Sequence, residues 1–533
     1  MAKTATLKDH FREGRVFNQR ALIAFAFVIF LSLILISRMI FLQVVQFETY
    51  TAQSDKNRVS VEPVAPTRGL IFDRNGTLLA DNQPTYSVSL LKERVPDIDE
   101  TIAKIGNIIA LKESDAERFK KRLDQRRRPF TPIALRYRLN EEEIAKIAVR
   151  LHELPGVEIE ANLVRNYPHK KVLAHTIGYV GRINQEELKK VDGNNYSATE
   201  HIGKTGIDYK TFNQLNTSKA RPLFNRAIQG QYPPGSTIKP VVGLAGVDDG
   251  ITNWDYTIYD PGWYKLDNDE RFYRDWKKYG HGMVNMEKAI VRSCDTYFYE
   301  LAFNMGIDRI HDFMKPFGFG EKTGLDIVSE RSGLLPSRFW KRAMKSQPWY
   351  PGETLITGIG QGYMLATPLQ LAVATAIIAN RGKVVEPRMV KTIDNGSTPE
   401  ATQPAQQEHK QITLNDPANW DKMITAMRKV VHHPRGTATK LALNLQAYDI
   451  AGKTGTAQVL GIKQDEEYDE DKISEWHRDH ALFIGFAPVQ NPKIAVAAIV
   501  ENGGSGGSTA GPVVRQVMDA YLLPLLQQQN APQ

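Results

Sequence analysis

The chain has 533 residues, 42% hydrophobic and 24% charged, a balance that excludes a wholly disordered, a collagen-like or a polytopic membrane protein. Its formal charge of +8 comes from 68 basic against 60 acidic residues with no long Lys/Arg block, which excludes a surface built to track a nucleic-acid backbone. The single cysteine, Cys294, excludes an intramolecular disulfide framework and a cysteine-rich zinc module.

Residues 1–20 carry Lys3, Lys8, Arg12, Arg15 and Arg20 against Asp9 and Glu13, so this short flank is expected to stay cytoplasmic. Residues 21–45 are apolar but for two serines, Arg38 and Gln43. At ~1.5 Å per residue that run makes one tilted membrane helix. It is long for a signal peptide, and Arg38-Met39-Ile40-Phe41 offers no small-residue cleavage site. The expected topology is therefore a single-pass anchor with the remainder of the chain outside the cytoplasm.

From residue 46 to 207 the composition is mixed and charged, with strand-like pieces such as Tyr86 to Leu90 and helix-like pieces over Asp115 to Arg126 and Asn140 to Leu154. This predicts an α+β pedestal. From 208 to 533 the pattern changes to apolar helices, Val241 to Val247 and Pro368 to Asn380, and β-rich runs, His480 to Ala487 and Lys493 to Val500. A larger sheet-and-helix domain follows from that change, so the fold class is multidomain α+β. The polar stretch Ser397 to Gln411 and the acidic stretch Lys463 to Arg478 read as exposed loops, and Gln527 to Gln533 as a frayed tail.

Three short motifs in the second part point to one chemistry. Tyr232-Pro-Pro-Gly-Ser236-Thr-Ile-Lys239 places a hydroxyl and an ammonium three residues apart after a tight turn. On a helix beginning near Ser236 they share a face, so Lys239, packed among apolar neighbours, would serve as the base that activates the serine. Ser293-Cys294-Asp295 lies in an apolar stretch, Met286 to Ala302, that reads as a buried helical pair with a turn. A second hydroxyl there would relay a proton to a leaving amine, with Asp295 as its hydrogen-bonding partner. Lys453-Thr454-Gly455-Thr456 opens a strand-like run where the lysine and hydroxyls would hold a carboxylate and the glycine would let a ligand approach the backbone. Each motif alone is weak. Their order, with spacings of 57 and 160 residues, is the set used by serine acyl-enzymes.

With these motifs the chain resembles the class B penicillin-binding proteins, monofunctional peptidoglycan transpeptidases, and most closely their elongation type, penicillin-binding protein 2. Arg68-Gly-Leu-Ile-Phe-Asp73-Arg74-Asn75-Gly76, Arg165 to Pro168 with His175 to Gly181, and Gly358-Ile-Gly-Gln-Gly362 carry the likeness beyond the triad. The resemblance implies a central antiparallel sheet flanked by helices and a D-alanyl-D-alanine stem peptide as donor. It also implies Ser236 as nucleophile, with Lys239, Ser293, Asp295 and Lys453 catalytic and Thr454, Gly455 and Thr456 binding substrate. It further implies a 4,3 cross-link, acylation by β-lactams, a place in the bacterial inner membrane with the catalytic domain in the periplasm, and partners in a polytopic glycan polymerase and other elongation-complex proteins. A β-lactam sensor, a tethered β-lactamase and an inactive cell-wall scaffold share the motifs and stay open. One departure stands out: family members have a helix and two long strands between pedestal and nucleophile, whereas only Asp208 to Tyr232 separates them here. Either a segment is missing near residues 207–210 or the sheet lacks its first hairpin and exposes an edge.

Asp260, Asp267, Asp269, Asp275 and His281 all fall within 35 residues of Cys294. Carboxylates, an imidazole and a thiolate make a plausible tetrahedral set for structural zinc. The spacing resembles a metal cluster of some elongation-type members that falls here on Asp260, Asp275, His281 and Cys294, leaving Asp267 and Asp269 as loop carboxylates. The transpeptidation itself needs no cofactor.

Overall fold

The computed structural model describes residues 10–47, 67–123, 132–170, 172–183, 190, 201–204, 224–267, 269–327, 329–393, 410–459 and 473–530. These fall into two compact units, Met1–His169 with Tyr179–Lys204, and Lys170–Gly178 with Thr205–Gln533.

The first unit begins with α1 (His10–Ile40), continued by a wider helical turn over Phe41–Val45. Its stretch Gly14–Val45 is long and apolar enough to cross a membrane, and no side of it is buried. Strands β1 (Ile71–Phe72), β2 (Leu78–Leu90), β3 (Ile133–Leu139) and β4 (Val157–Asn166) form an antiparallel sheet. In it β2 is the spine: β4 runs along it from Asp81 to Leu90, β1 pairs with its start and β3 with its end. Three amphipathic helices, α2 (Ile98–Ile108), α3 (Glu113–Leu123) and α4 (Glu141–Val149), supply the rest of the unit. Asp97 caps α2 by accepting from Glu100 N, and Asn140 with Glu143 forms a reciprocal capping box on α4. Val88, Leu90, Ile105, Phe119, Leu135 and Ile147 fill the core. A short hairpin, β5 (Tyr179–Arg182) with β6 (His201–Lys204), completes the described part.

In the second unit a tight helical turn, Gly235–Ile238, leads into α5 (Lys239–Asp248), whose first eight residues are all buried. The expected helix start at Ser236 is thus a 3₁₀ turn, and the α-helix proper starts at Lys239. Two small ribbons follow: β7 (Ile258–Asp260) pairs with β10 (Gly282–Val284), and between them β8 (Trp263–Lys265) pairs with β9 (Phe272–Arg274). Helices α6 (Met286–Arg292) and α7 (Asp295–Met314) form the expected buried pair, broken at Ser293, whose φ of 58° ends α6. Next come α8 (Arg338–Lys345), α9 (Pro351–Gly358), α10 (Pro368–Ala379) and α11 (Ala418–His432). The sheet runs β11 (Ala451–Ala457), β12 (His480–Ala487), β13 (Ile494–Val500), antiparallel throughout. Helix α12 (Gly511–Asn530) closes the unit and carries helix through Gln527 to Asn530, where the sequence predicts a frayed end.

Helix α7 packs on α5 and α9, α11 on β11, and α10 and α12 both pack on β13. Among the described residues this sheet has three strands, so the antiparallel sheet flanked by helices is present and β13 lies at its edge. Residues 207–210, the greater part of 397–411 and the acidic stretch up to 472 lie outside the described residues.

Candidate active site

Three elements converge on one buried polar network. The turn 235–238 delivers Lys239, the break between α6 and α7 delivers Ser293 and Asp295, and β11 delivers Lys453. The Lys239 Nζ donates to the Ser293 carbonyl at 2.9 Å and to Asp295 Oδ1 at 2.7 Å, and it lies over the Phe298 ring. The Lys453 Nζ donates to Ser293 Oγ at 2.8 Å and to the Thr454 carbonyl at 3.0 Å. Both lysines are fully buried. Placing two ammonium groups where one carboxylate faces them is costly, and the system responds by shifting protons. Burial, reinforced by the charge on Lys239, holds the Lys453 pKa well below the usual lysine range. Burial also pushes the Asp295 carboxyl up, against the pull of Lys239.

The nucleophile turn is held from two sides. Gly235 N donates to the Gly360 carbonyl at 2.8 Å, and Gln361 Nε2 donates to the Thr456 carbonyl at 2.8 Å. So the Gly358–Gly362 turn bridges the serine turn and the end of β11. Gly235 adopts φ 54°, and a Cβ there would sit 2.4 Å from the Thr456 carbonyl, so no other residue fits. Gly455 is likewise a close-approach glycine, but what its added Cβ would strike, at 2.7 Å, is the Thr237 methyl. It therefore seats β11 against the serine turn. Thr454 Oγ1 and Thr437 Oγ1 are 2.8 Å apart, and Thr456 is exposed at the site's surface.

All three motifs come together as the sequence predicts, with two differences in pairing. Asp295 is bonded to Lys239 where Ser293 was expected, and Ser293 is bonded to Lys453. Ser236, three residues before Lys239 on the turn 235–238, is half-buried, and among the described residues its hydroxyl has no hydrogen-bond partner. Residues to which the motifs assign no part in the chemistry also hold the site. Asp275 Oδ2 accepts from Asp295 N at 2.6 Å and Thr296 N at 3.2 Å, capping α7, and Trp276 N donates to Asp295 Oδ2. Tyr232, just before the turn, donates to Glu501 Oε1 at 2.7 Å, and Arg226 binds the other oxygen. An aspartate followed by a tryptophan gives no local signal of such contacts.

Next to this network lies a second cluster. Asp260, Asp275, His281 and Cys294 are all buried, and each offers one ligand atom within 4.8 Å of the others. His281 Nδ1 lies 2.7 Å from Asp260 Oδ2 and 3.5 Å from Asp275 Oδ1, and the Cys294 thiol donates to Asp260 at 3.3 Å. Burial pushes the thiol pKa up, helped by the two carboxylates. Burial works against charge on Asp275, but the hydrogen bond from His281 holds its carboxyl below the usual range. His281 Nε2 is buried with no hydrogen-bond partner among the described residues, which leaves a donor or ligand valence unspent there. Asp269 is occupied elsewhere, accepting from Arg271 N and the Tyr273 hydroxyl.

Residues 190–519 match the penicillin binding protein transpeptidase domain, and residues 63–227 match the penicillin-binding protein dimerisation domain. The chain is 38% identical to the peptidoglycan D,D-transpeptidase MrdA of Acinetobacter baumannii, covering 97% of this chain and 89% of that relative. That alignment spans 608 positions, more than the chain has residues, so the relative carries segments that this chain lacks. Pseudomonas aeruginosa PBP2, solved in complex with WCK 5153, is 39% identical with a TM-score of 0.66, over 87% of this chain and 97% of that one. PBP2 of Helicobacter pylori in its complex with MreC is 25% identical with a TM-score of 0.73, over 86% and 98%.

Proposed function

The chain belongs to the penicillin-binding protein transpeptidase family, and from that premise we propose that it is a serine D,D-transpeptidase that cross-links peptidoglycan stem peptides during cell elongation. The observation that carries this is the meeting of Lys239, Ser293 and Lys453 in one buried network at 2.7–3.0 Å. Three motifs scattered over more than two hundred residues meet there beside an exposed carboxylate-holding edge.

Lys239 becomes a free amine when its ammonium proton moves to Asp295, 2.7 Å away; the Ser236 oxygen then attacks the carbonyl of the penultimate D-alanine and gives its proton to that amine. The backbone N–H groups of Ser236 and Thr456 stabilise the oxyanion, each worth ~3 kcal/mol in comparable enzymes. When the peptide C–N bond breaks, the proton travels through Ser293, held by Lys453, to the leaving D-alanine. Thr454 and Thr456 hold the terminal carboxylate. An amine from a neighbouring strand then attacks the acyl-enzyme and releases Ser236, giving a 4,3 cross-link. β-Lactams acylate Ser236 by the first half of this path.

Residues 1–20 form the cytoplasmic tail, 21–45 the anchor, 46–207 the pedestal and 208–533 the transpeptidase domain, with the catalytic part in the periplasm of a bacterial inner membrane. The basic flank before α1 supports that orientation. The partners are elongation-complex proteins, a reading supported by the H. pylori relative solved with MreC, and a polytopic glycan polymerase is proposed among them by the family resemblance alone. Asp260, Asp275, His281 and Cys294 would hold a structural zinc. The soft thiol and the unpaired His281 Nε2 suit that ion, which would pin the β7–β10 ribbon to the Ser293 turn. A silent scaffold is the second reading, favoured by the edge of β13 that has no strand beside it among the described residues.

Intact mass after incubation with a penicillin tests the proposal. One adduct per chain is expected, slow to decay, and absent in Ser236→Ala while the fold is retained. No adduct on the native chain would leave the scaffold, and rapid turnover would indicate a β-lactamase.

A further inference from the structure

Three lysines are fully buried among the described residues, Lys239, Lys341 and Lys453. Lys239 and Lys453 belong to the serine network, and Lys341 does not. Taking an ammonium out of water is costly unless its surroundings replace that water. Lys341 sits on α8, and its Nζ donates to Glu353 Oε1 on α9. Three rings surround the same charge: the Nζ lies 4.4 Å from the centroid of Tyr350 and 5.9 Å from those of Trp349 and Tyr363. This box is cross-braced. Trp340 and Trp349 both pack on Tyr363, with ring centroids 5.2 and 6.4 Å away. Trp349 Nε1 donates to Thr354 Oγ1 at 2.8 Å, and the other Glu353 oxygen accepts from Tyr350 N at 2.9 Å at the start of α9.

The box brackets the Gly358–Gly362 turn. Helix α9 runs directly into that turn and Tyr363 follows it, so Glu353 and Tyr363 lie on its two sides in the chain. The helix side is fixed on α7: a Cβ on Gly358 would sit 2.3 Å from the Ala302 Cβ. The other side leaves through Gly362, exposed at φ 73°. There the Tyr363 ring, set over Lys341, is the anchor until backbone bridges from Leu365 to Leu334 and from Ala366 to Tyr232 take over. Between the two anchors the Gly360 carbonyl accepts from Gly235 N, and Gln361 Nε2 donates to the Thr456 carbonyl, each at 2.8 Å. Gly235 precedes Ser236, so one turn sets the spacing of Ser236 and Thr456, whose N–H groups are the proposed oxyanion donors. A methionine would fill the volume of Lys341 but leave Glu353 and three ring faces without the charge on which they converge. We infer that Lys341 is a positioning residue, which through Glu353 and Tyr363 holds the 358–362 turn and with it the width of the oxyanion hole. The inference rests on the transpeptidase reading of that site.

The test uses the full chain in detergent and follows its acylation by a fluorescent penicillin, separating the affinity of the first, non-covalent complex from the rate constant of acylation. An oxyanion hole acts on the transition state, so Lys341→Met should lower that rate constant about 10–100-fold and leave the affinity nearly unchanged. Binding of a boronic acid, which forms a tetrahedral adduct on the serine, should weaken by the same factor. Lys341→Met combined with Glu353→Gln removes both charges and leaves no carboxylate unpaired. This double variant should melt close to the native temperature and still acylate slowly. Recovery of the rate together with stability would overturn the proposal and make Lys341 a structural counter-ion. A native rate constant in Lys341→Met, or a loss confined to the affinity of the first complex, would overturn it as well. Should Lys341→Met fail to fold, the double variant decides. Tyr363→Leu, which removes a ring and keeps the ion pair, should show the same split between rate and affinity, and a native rate constant there would also overturn the proposal. No adduct on the native chain would count instead against the transpeptidase reading.

Discussion

Two polar clusters sit back to back around the Ser293 turn, and they differ in what they leave unsatisfied. In the first, Lys239, Ser293, Asp295 and Lys453 use their groups on one another, with contacts of 2.7–2.9 Å. In the second, Asp260, Asp275, His281 and Cys294 are equally buried, yet among the described residues His281 Nε2 has no partner, and a thiol is kept protonated by burial between carboxylates. A closed network can hold a reactive serine turn in one geometry. An open one at the same depth marks a place for a further ligand, because a buried unpaired polar atom costs about 1–3 kcal/mol. Asp275 belongs to both, with one oxygen toward His281 and the other capping α7 through Asp295 N and Thr296 N.

The hardest way to break the contrast is at Lys239. Lys239→Ala should slow acylation by penicillin about 10²–10⁴-fold for loss of the base. It should also cost about 3–5 kcal/mol of stability, because Asp295 is left buried without its counter-charge. Adding Asp295→Asn should recover stability in a thermal melt and leave acylation slow. If labelling returned along with stability, Lys239 would be a structural partner only.

The second cluster is tested by metal. Purified protein should carry about one zinc per chain, lost in His281→Ala and Cys294→Ser, and chelation should lower stability by about 4 kcal/mol if the ion is held at a thousand times its dissociation constant. Metal-free protein with an undiminished melting temperature would make the cluster a hydrogen-bonded plug.

The smallest effect is in pH. Burial and the Lys239 charge depress the Lys453 pKa, while the unfolded chain keeps an ordinary lysine. Between those two values the unfolded state binds more protons, so this group makes stability fall as pH drops from the ordinary lysine value toward the depressed one and level off below it. Acylation should decline over the same acid limb, as a second full charge appears beside Lys239. Lys453→Met should flatten that part of the stability profile, and an unchanged slope would show that the proton is taken up elsewhere.

The sequence alone contained the chemistry and the outline of the fold. That the motifs around Lys239, Ser293 and Asp295 sit at a turn and a helix start was legible because they are short and their local geometry is dictated by their own residues. The same holds for the apolar run over residues 21–45, for the buried strand His480–Ala487 and for the helix pair around Ser293, where periodicity and length leave few alternatives. The partners inside the site were not legible. That Lys453 holds Ser293 across 160 residues, that Lys239 takes Asp295, and that Asp275 caps α7 from twenty residues upstream depend on how separate elements pack. The edge of β13 shows the same division. Its seven apolar residues specify burial on both faces, and only the order of the strands decides which of its two edges pairs with β12. Local pattern records what each residue needs from its surroundings, and the long-range packing decides which residues supply it.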